Sequence, residues 1–284
     1  MTTEIYYLSG TGNSLHVAKE LQKRIDDTEL ISLSSLKNND RIKTKGDTVG
    51  FVFPVHFMTA PKIVFRLLEK LDIQTAEYIF LIATRYGTPC GVMYRHFEKI
   101  LKRKGKELDS FITITMANND PKFKGWEPCS QEKLDEIESV LHKKLDLFQG
   151  MIQRKQKYRE TDHEITYPVC PIAERLGVFA ISLIGDGKEA FVADSNCNGC
   201  GTCERVCLSS KIRMVDGKPE WQKKHDCYSC YACLNFCPER AVQLKSTPMI
   251  KFHTEQNGRY HHPDITLNDI EMQKLELENG KVKG

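Results

Sequence analysis

Apolar strand patterns alternate with amphipathic helical patterns through the first half of the chain. The first strand pattern is Ile5-Tyr6-Tyr7-Leu8, and four similar apolar runs follow at residues 29–33, 48–53, 78–84 and 110–116. Apolar residues at helical spacing come directly after the first strand and recur at 61–71, 91–104 and 131–158. Five strands that alternate with helices predict an α/β fold, a doubly wound parallel sheet covered by helices on both faces.

A short loop rich in Gly, Ser and Thr joins the first strand to the first helix. Its sequence is Ser9-Gly10-Thr11-Gly12-Asn13-Ser14. Glycines let a backbone close around an anion, hydroxyls donate hydrogen bonds, and the helix N-terminus adds free N–H groups, so the layout suits a phosphate. It lacks the Lys-Ser/Thr ending of a Walker loop, and Leu15 replaces the last glycine of a dinucleotide fingerprint. The alternative is an ordinary strand-to-helix turn without a ligand.

Two more loops follow predicted strands, where parallel sheets bind their ligands. The first is Pro54-Val55-His56-Phe57-Met58-Thr59-Ala60-Pro61, and the second is Thr84-Arg85-Tyr86-Gly87-Thr88-Pro89-Cys90-Gly91. Both bring backbone amides, Gly or Pro, and at least one ring. Loops of this kind suit a flat, electron-poor ring such as isoalloxazine.

Eight of the 11 cysteines fall in two matched runs near the C-terminus. The first run is Cys197-x-x-Cys200-x-x-Cys203-x-x-x-Cys207, and the second is Cys227-x-x-Cys230-x-x-Cys233-x-x-x-Cys237-Pro238. This is the bacterial ferredoxin spacing, in which three cysteines hold one [4Fe–4S] cluster and the fourth ligates the other. We therefore expect one cluster on Cys197, Cys200, Cys203 and Cys237, and a second on Cys227, Cys230, Cys233 and Cys207.

Other interpretations of the cysteine runs are weaker. Zinc takes four ligands, and each run already supplies four, while disulfides need an oxidising compartment. The start Met1-Thr2-Thr3-Glu4 has no basic region or long apolar stretch typical of a secretion signal, and the longest uncharged apolar run, 176–185, is too short to span a bilayer. The formal net charge is only +3, and anionic cofactors would reduce it, which argues against nucleic acid as a partner. These features predict a cytoplasmic protein.

The motifs together resemble a known family. Residues 1 to about 155 resemble flavodoxins, whose phosphate loop has the pattern matched by Ser9-x-Thr11-Gly12-x-Ser14, and residues 1 to about 245 resemble flavodoxin–ferredoxin fusion proteins. The resemblance implies strand order 2-1-3-4-5, followed by a small α+β ferredoxin domain with two [4Fe–4S] clusters. It divides the chain into a flavodoxin-like domain (1–158), a linker (159–195), a ferredoxin-like domain (196–246) and a tail (247–284).

The resemblance also implies a flavin mononucleotide, FMN, in the N-terminal domain. Its phosphate would lie on Ser9, Thr11, Gly12, Asn13 and Ser14. The ring would lie between Pro54, Val55, His56, Phe57 and Met58 on one side and Thr84, Arg85, Tyr86, Gly87 and Gly91 on the other. Neither ring loop contains Trp, so Tyr86 is the expected stacking residue, with His56 or Phe57 opposite.

The expected function is electron transfer between FMN, the two clusters and partner redox proteins, with no catalytic residue assigned. The alternative is a flavin-dependent reductase of a small molecule, in which the ferredoxin domain supplies electrons to FMN. No nicotinamide fingerprint appears in the sequence. The pair His261-His262 could ligate a metal, but the sequence shows no third ligand near it.

Overall fold

The computed structural model describes residues 2–87, 90–160, 190–248 and 250–275, together with two short strands at 277–278 and 281–282. Its N-terminal strands are β1 (Thr3–Tyr7), β2 (Thr28–Ser32), β3 (Ile42–Lys43), β4 (Thr48–Pro54), β5 (Leu71–Asp72), β6 (Tyr78–Arg85), β7 (Ser110–Thr115) and β8 (Tyr158–Arg159). The helices between them are α1 (Asn13–Gln22), α2 (Lys62–Lys70), α3 (Gly91–Arg103) and α4 (Gln131–Gln153). Most of the predicted linker lies outside the described residues.

The main sheet has six strands in the order β2-β1-β4-β6-β7-β8, and every neighbouring pair is parallel. The five predicted strands have the expected flavodoxin-like order 2-1-3-4-5, which confirms the predicted fold class. Two details differ. The strands β3 and β5 form a separate short parallel pair, and β8 adds a sixth strand at the edge of the main sheet.

The sixth strand replaces the end of a helix that was predicted to reach residue 158. The helix α4 ends at Gln153, and Lys155 then adopts a left-handed conformation with φ 49°. Beyond this turn the amide of Tyr158 donates to the carbonyl of Asp109, and that of Glu160 donates to Phe111. These ladder hydrogen bonds outweigh the local helical pattern because they satisfy backbone groups of an open sheet edge.

Two apolar layers hold the sheet between its helices. Successive residues of β1 alternate between them, so that Tyr6 packs with α2 and α3 while Ile5 packs with α1 and α4. Both side chains are at most 2% exposed. Because the strands are all parallel, their carboxyl ends and the loops that follow lie at one edge of the sheet, between the two layers.

The cysteine-rich region forms small antiparallel sheets and single-turn helices. The elements in and beside it are β9 (Phe191–Ala193), α5 (Thr202–Arg205), β10 (Ile212–Val215), β11 (Lys218–Trp221), α6 (Ala232–Asn235) and β12 (Val242–Leu244). The tail that follows contains α7 (Leu267–Met272), β13 (Leu277–Glu278) and β14 (Lys281–Val282). β10 pairs with β11, and β9 pairs with β12. Within the part of the chain that the structure describes, no helix is long and apolar enough to cross a lipid bilayer.

The cysteine-rich region shares a core with the main sheet. Val206, Leu208, Ala232 and Phe236 belong to the same buried apolar cluster as the residues of α2 and α3. Polar contacts support this junction, since the Ser34 hydroxyl donates to the carbonyl of Leu208 at 2.7 Å. The two parts of the molecule are therefore packed against each other through buried side chains.

Candidate functional site

The loop between β1 and α1 forms an anion cradle. Gly12 precedes the helix with φ 99°, a left-handed conformation that favours glycine, and no side chain caps the first turn. The first N–H groups of a helix have no intrahelical acceptors, and they carry the positive end of the helix dipole. The Ser14 hydroxyl is fixed by the Thr84 hydroxyl at 2.7 Å. These features fit the phosphate of a nucleotide.

A cavity at the carboxyl edge of the sheet, called here the sheet-edge cavity, brings the three predicted loops together. Ten of the predicted residues line it: Ser9, Thr11, Asn13, Ser14, Pro54, Val55, His56, Thr84, Arg85 and Tyr86. Five further residues complete its lining: Gly10, Met116, Ala117, Asn119 and Cys230. The cavity therefore combines the anion cradle with the two loops expected to hold a ring.

The other five predicted residues lie beside the sheet-edge cavity rather than in its lining. Gly12 packs against the C-terminal tail, and Phe57 lies 4.9 Å from the Lys122 ammonium, measured to the ring centre. Met58 and Gly87 occupy turns with positive φ, and Gly91 begins α3. These residues shape the loops around the cavity.

The first ring loop contains a tight turn made by two bulky residues. His56 and Thr59 exchange backbone hydrogen bonds of 2.7 and 2.8 Å. Between them Phe57 and Met58 have φ values of 48° and 65°. Non-glycine residues held in this left-handed region cost about 1–3 kcal/mol each, and such strain is concentrated at ligand-binding sites.

His56 presents an uncharged ring to the sheet-edge cavity. Burial, reinforced by the nearby Lys122 ammonium, lowers the pKa of His56 to about 4. Its Nδ1 atom is buried and has no hydrogen-bond partner among the described residues. A buried polar atom of this kind is expected to meet a ligand or water, so it supports the assignment of a binding site here.

The loop after β7 was not among the predicted site residues. The Asn119 amide donates to the Thr11 hydroxyl at 2.6 Å, and the Asn13 amide donates to the carbonyl of Ala117 at 2.9 Å. A signal for it was present, because Ala117-Asn118-Asn119-Asp120 follows the fifth predicted strand. The rule that located the other two loops at the carboxyl ends of strands applies equally here.

The C-terminal tail, residues 250–275, closes over the anion cradle. The Gln273 amide forms two hydrogen bonds with the backbone of Ser9, of 3.1 and 2.8 Å. The amide N–H of His262 donates to the carbonyl of Thr11 at 2.8 Å, and the Tyr260 hydroxyl donates to the side chain of Asn13 at 3.2 Å. The tail thereby fixes the position of the loop that forms the cradle.

The eight run cysteines surround two cavities in the predicted groups. Cys197, Cys200, Cys203 and Cys237 line what we call the outer cavity. Cys207, Cys227, Cys230 and Cys233 line the inner cavity. The structure thus brings the fourth cysteine of each run to the cavity of the other run. No disulfide links the cysteines in the described ranges.

The sulfur chemistry of both cavities suits ligation of the iron atoms of a cluster. Burial, with smaller contributions from neighbouring sulfurs, raises the pKa of Cys203 to about 11 and that of Cys230 to about 12. Four thiolates in such a place need positive charge, and the irons of a [4Fe–4S] cluster would supply it. Backbone amides already point at sulfur, since Lys211 donates to Cys207 at 3.2 Å and Ala241 donates to Cys237 at 3.3 Å.

The two cysteine runs repeat their backbone conformation at an offset of 30 residues. Left-handed conformations occur at Gly199 and Ser229, at Gly201 and Tyr231, and at Ser210 and Arg240. Gly201 and Tyr231 directly precede α5 and α6. Ser210 and Arg240 follow the fourth cysteine of each run. The repeat follows from the equal cysteine spacing of the two runs.

Cys230 connects the inner cavity to the sheet-edge cavity. It lines both of them. Its backbone packs so closely on the anion cradle that a Cβ atom placed on Gly10 would lie 2.2 Å from the Cys230 carbonyl oxygen. Residues that would hold an inner cluster are therefore in direct contact with the loop that would hold the phosphate.

Comparison with known proteins identifies the cysteine-rich region. Residues 196–242 match the model of the 4Fe-4S dicluster domain family. A 54-residue stretch is 33% identical to a subunit of the ion-translocating oxidoreductase complex of Methanosarcina acetivorans. That stretch is 19% of this chain and 20% of the relative, so the chain spans about a fifth of the length of this relative.

Two solved structures are similar to about half of this chain. General stress protein 14 of Treponema denticola, in complex with FMN, is 12% identical, with a TM-score of 0.40 over 54% of this chain and 100% of its own. An FMN-dependent NADH-azoreductase of Bacillus anthracis is 9% identical, with a TM-score of 0.35 over 52% and 100%. The strand order of this chain itself establishes the fold, which is a flavodoxin-like sheet joined to a 4Fe-4S dicluster domain.

Proposed function

We propose that this protein transfers electrons between FMN, two [4Fe–4S] clusters and partner redox proteins. The observation that carries the proposal is the position of Cys230, in the walls of both the inner cavity and the sheet-edge cavity. A binding site for FMN and a binding site for a cluster that share a wall provide a short path for single electrons. The expected order along the path is FMN, inner cluster, outer cluster.

Each cofactor would supply a different part of this function. FMN exchanges one or two electrons, and each [4Fe–4S] cluster exchanges one. The residues of this chain hold the cofactors and exclude water. They also adjust reduction potentials through N–H donors to sulfur, such as those of Lys211 and Ala241, and through nearby charge.

Lys122 is positioned to act on both cofactor sites. Its ammonium lies 4.9 Å from the ring centre of Phe57 and 5.2 Å from that of Tyr231, which lines the inner cavity. The side chain is buried and forms an ion pair with Asp120 at 3.2 Å. A buried positive charge stabilises added electrons, so Lys122 is expected to raise the potentials of the groups beside it.

The reductase alternative makes the sheet-edge cavity an active site. His56 and Arg85 line the cavity together and could orient a small molecule. The carrier function is favoured because the wall of this cavity includes the Cys230 loop and because the sequence has no nicotinamide fingerprint. A cytoplasmic location is part of this proposal, since the cluster ligands must remain reduced. The proposed partners are redox proteins rather than nucleic acid.

Anaerobic purification followed by cofactor analysis tests the proposal. Each chain should carry about eight irons, about eight acid-labile sulfides and one FMN, as two four-iron clusters require. Reduction with dithionite should pass electrons on to cytochrome c, whereas NADH or NADPH alone should leave the protein oxidised. Stoichiometric zinc without acid-labile sulfide would contradict the cluster assignment. Rapid, saturable reduction of the flavin by NADPH would favour the reductase.

A further inference from the structure

Two buried histidines that the proposed electron path does not use form a stacked pair. His16, on α1, is 5% exposed, and His262, in the C-terminal tail, is 1% exposed. Their ring centres are 3.8 Å apart, and the ring planes differ by 21°. The neighbouring His261 takes no part, because it stacks on Phe236 instead, at 4.3 Å. The stacked pair therefore joins residues separated by most of the chain.

One carboxylate determines which nitrogen of each ring carries the proton. The Oε2 atom of Glu138, on α4, lies 2.9 Å from Nε2 of His16, and its Oε1 atom lies 3.2 Å from Nε2 of His262. A carboxylate only accepts hydrogen bonds, so both Nε2 atoms donate to it. In the uncharged rings the lone pairs are then on the Nδ1 atoms. The amide N–H of Asp264 contacts Nδ1 of His262 at 3.3 Å, as an acceptor there requires.

A second carboxylate lies on the Nδ1 side of the rings. The Oδ2 atom of Asp264 is 3.8 Å from Nδ1 of His16. Ligand atoms of His16, His262 and Asp264 all lie within 4.8 Å of one another. Ligands about 2.0–2.1 Å from a tetrahedral zinc are separated by about 3.3 Å. An imidazole lone pair lies in the plane of its ring, so the two nearly parallel rings must turn toward each other before both Nδ1 atoms can reach one metal. The Asp264 side chain is 70% exposed, which leaves it free to move and keeps the place open to solvent.

We propose that His16, His262 and Asp264 bind a divalent transition metal of the zinc type. The ligands would be the Nδ1 atoms of both histidines and one carboxylate oxygen of Asp264, with water completing the coordination. Glu138 would be a positioning residue, since ligating histidines commonly donate the other ring N–H to a carboxylate. The metal would replace the long contact between the Asp264 amide and His262.

Such a metal would fasten the C-terminal tail to α1 beside the anion cradle. A Cβ atom placed on Gly12 would lie 2.8 Å from Cβ of His262 and 2.9 Å from Cβ of Ile265, so the tail already touches the loop at this point. The proposed site is separate from the cysteine cavities and does not depend on the proposed electron path. Its expected effect is to hold the tail in the position that closes the cradle.

Zinc titration of the cluster-loaded protein tests the proposal. Protein washed with chelator, with its iron content and visible spectrum checked, should bind one Zn²⁺ in calorimetry. X-ray absorption at the zinc edge should show nitrogen and oxygen ligands near 2.0–2.1 Å, including imidazole, and no sulfur shell near 2.3 Å. A sulfur shell would mean that zinc had entered the cysteine cavities, and this result, like the absence of binding, would overturn the proposal.

Matched variants separate this site from a general effect on folding. Asp264→Asn changes an exposed side chain and should weaken zinc binding by at least about tenfold, and His262→Gln should abolish it, whereas the neighbouring variant His261→Gln should bind zinc like the unmodified protein. Glu138→Gln should weaken binding by about 10–100-fold, the usual effect of losing a partner that orients a ligand. Unchanged zinc affinity in both Asp264→Asn and His262→Gln, with the iron content retained, would rule the site out.

Discussion

The outer and inner cysteine cavities have the same ligand spacing but different surroundings. The outer set includes the exposed Cys200, whereas none of the four inner cysteines is exposed. The inner cavity is bounded by aromatic residues such as Tyr228 and Tyr231 and shares Cys230 with the sheet-edge cavity. Cavities of equal cysteine spacing therefore differ in position: the inner one adjoins the proposed FMN site, and the outer one includes an exposed cysteine.

The two cysteine runs also differ in the residues that occupy their left-handed backbone positions. The first run, which begins at Cys197, has glycine at two of its left-handed positions, Gly199 and Gly201. The second run, which begins at Cys227, has Ser229 and Tyr231 there. Left-handed non-glycine residues are strained, so packing must hold the second run in this conformation. Its contacts with the main sheet supply that packing. The second run thus needs packing to hold Ser229 and Tyr231, whereas the first run has glycine at both matching positions.

The largest expected effect comes from removing one cysteine of each set. Cys200→Ser should lose the outer cluster and lower the iron content from about eight to about four, with the inner cluster and FMN retained. Cys233→Ser should lose the inner cluster and with it electron transfer between FMN and the outer cluster. Iron analysis, electron paramagnetic resonance and stopped-flow reduction would measure these losses. Rapid electron transfer between FMN and the outer cluster in Cys233→Ser would contradict the proposed order of cofactors.

A large effect is also expected where the inner loop touches the anion cradle. Gly10→Ala introduces a Cβ atom that would lie 2.2 Å from the Cys230 carbonyl oxygen, so the loop or the cradle must shift. Overpacking of this kind typically costs about 1–3 kcal/mol, and we expect FMN affinity to fall by about tenfold or more. Fluorescence titration of the apoprotein with FMN measures the change.

Gly150→Ala is the matched control for Gly10→Ala. Gly150 lies in α4, and an added Cβ would come no closer than 3.4 Å to the flexible end of Arg154. This variant should bind FMN normally and be slightly more stable, because alanine favours a helix interior. If Gly10→Ala matched it in FMN affinity, the contact between the two sites would have no bearing on flavin binding.

An effect of similar size is expected within the cradle itself. Thr11→Ala removes the hydroxyl that accepts a hydrogen bond from Asn119 at 2.6 Å and should raise the dissociation constant of FMN by about one to two decades. Thr11→Asp should abolish binding by repelling the phosphate. Thr115→Ala, at an exposed position on β7, is the control. Retained affinity in Thr11→Asp would place the phosphate elsewhere.

The last expected effect is a pH dependence of stability that arises from His56. Its pKa falls from the usual 6.5 to about 4 on folding, so the unfolded chain binds more protons between these values. This contribution to stability is fully present above pH 6.5 and is lost as the pH falls toward 4, by at most about 3 kcal/mol. Denaturant unfolding of the protein and of His56→Gln at pH 7 and pH 5 should show a smaller loss in the variant. Identical losses would exclude His56 as the cause.

The sequence predicts the parts of this molecule that have short-range signals. The alternation of strands and helices, the strand-to-helix loop of the anion cradle and the grouping of eight cysteines follow from periodicity and spacing, which are local or regular properties, whereas the strand order follows from the resemblance to flavodoxins. The extension of the sheet by Tyr158 and Arg159 does not, because a helical pattern covered those residues and the backbone bonds of a sheet edge prevailed. Contacts between distant segments, such as that between Cys230 and Gly10, cannot be predicted from a single sequence. Neither a cysteine nor a glycine indicates by its type which distant residue it will contact.

The closure of the cradle by Gln273 has a consequence for how the protein is made. Gln273 and Ser9, whose hydrogen bonds close the loop, are 264 residues apart. A ribosome that adds about 5–20 residues per second needs roughly 15–50 s to travel that distance. During this interval the nascent flavodoxin-like sheet can fold, but its cradle lacks the tail. Firm retention of FMN is therefore expected to come late in synthesis, after the cysteine runs have emerged.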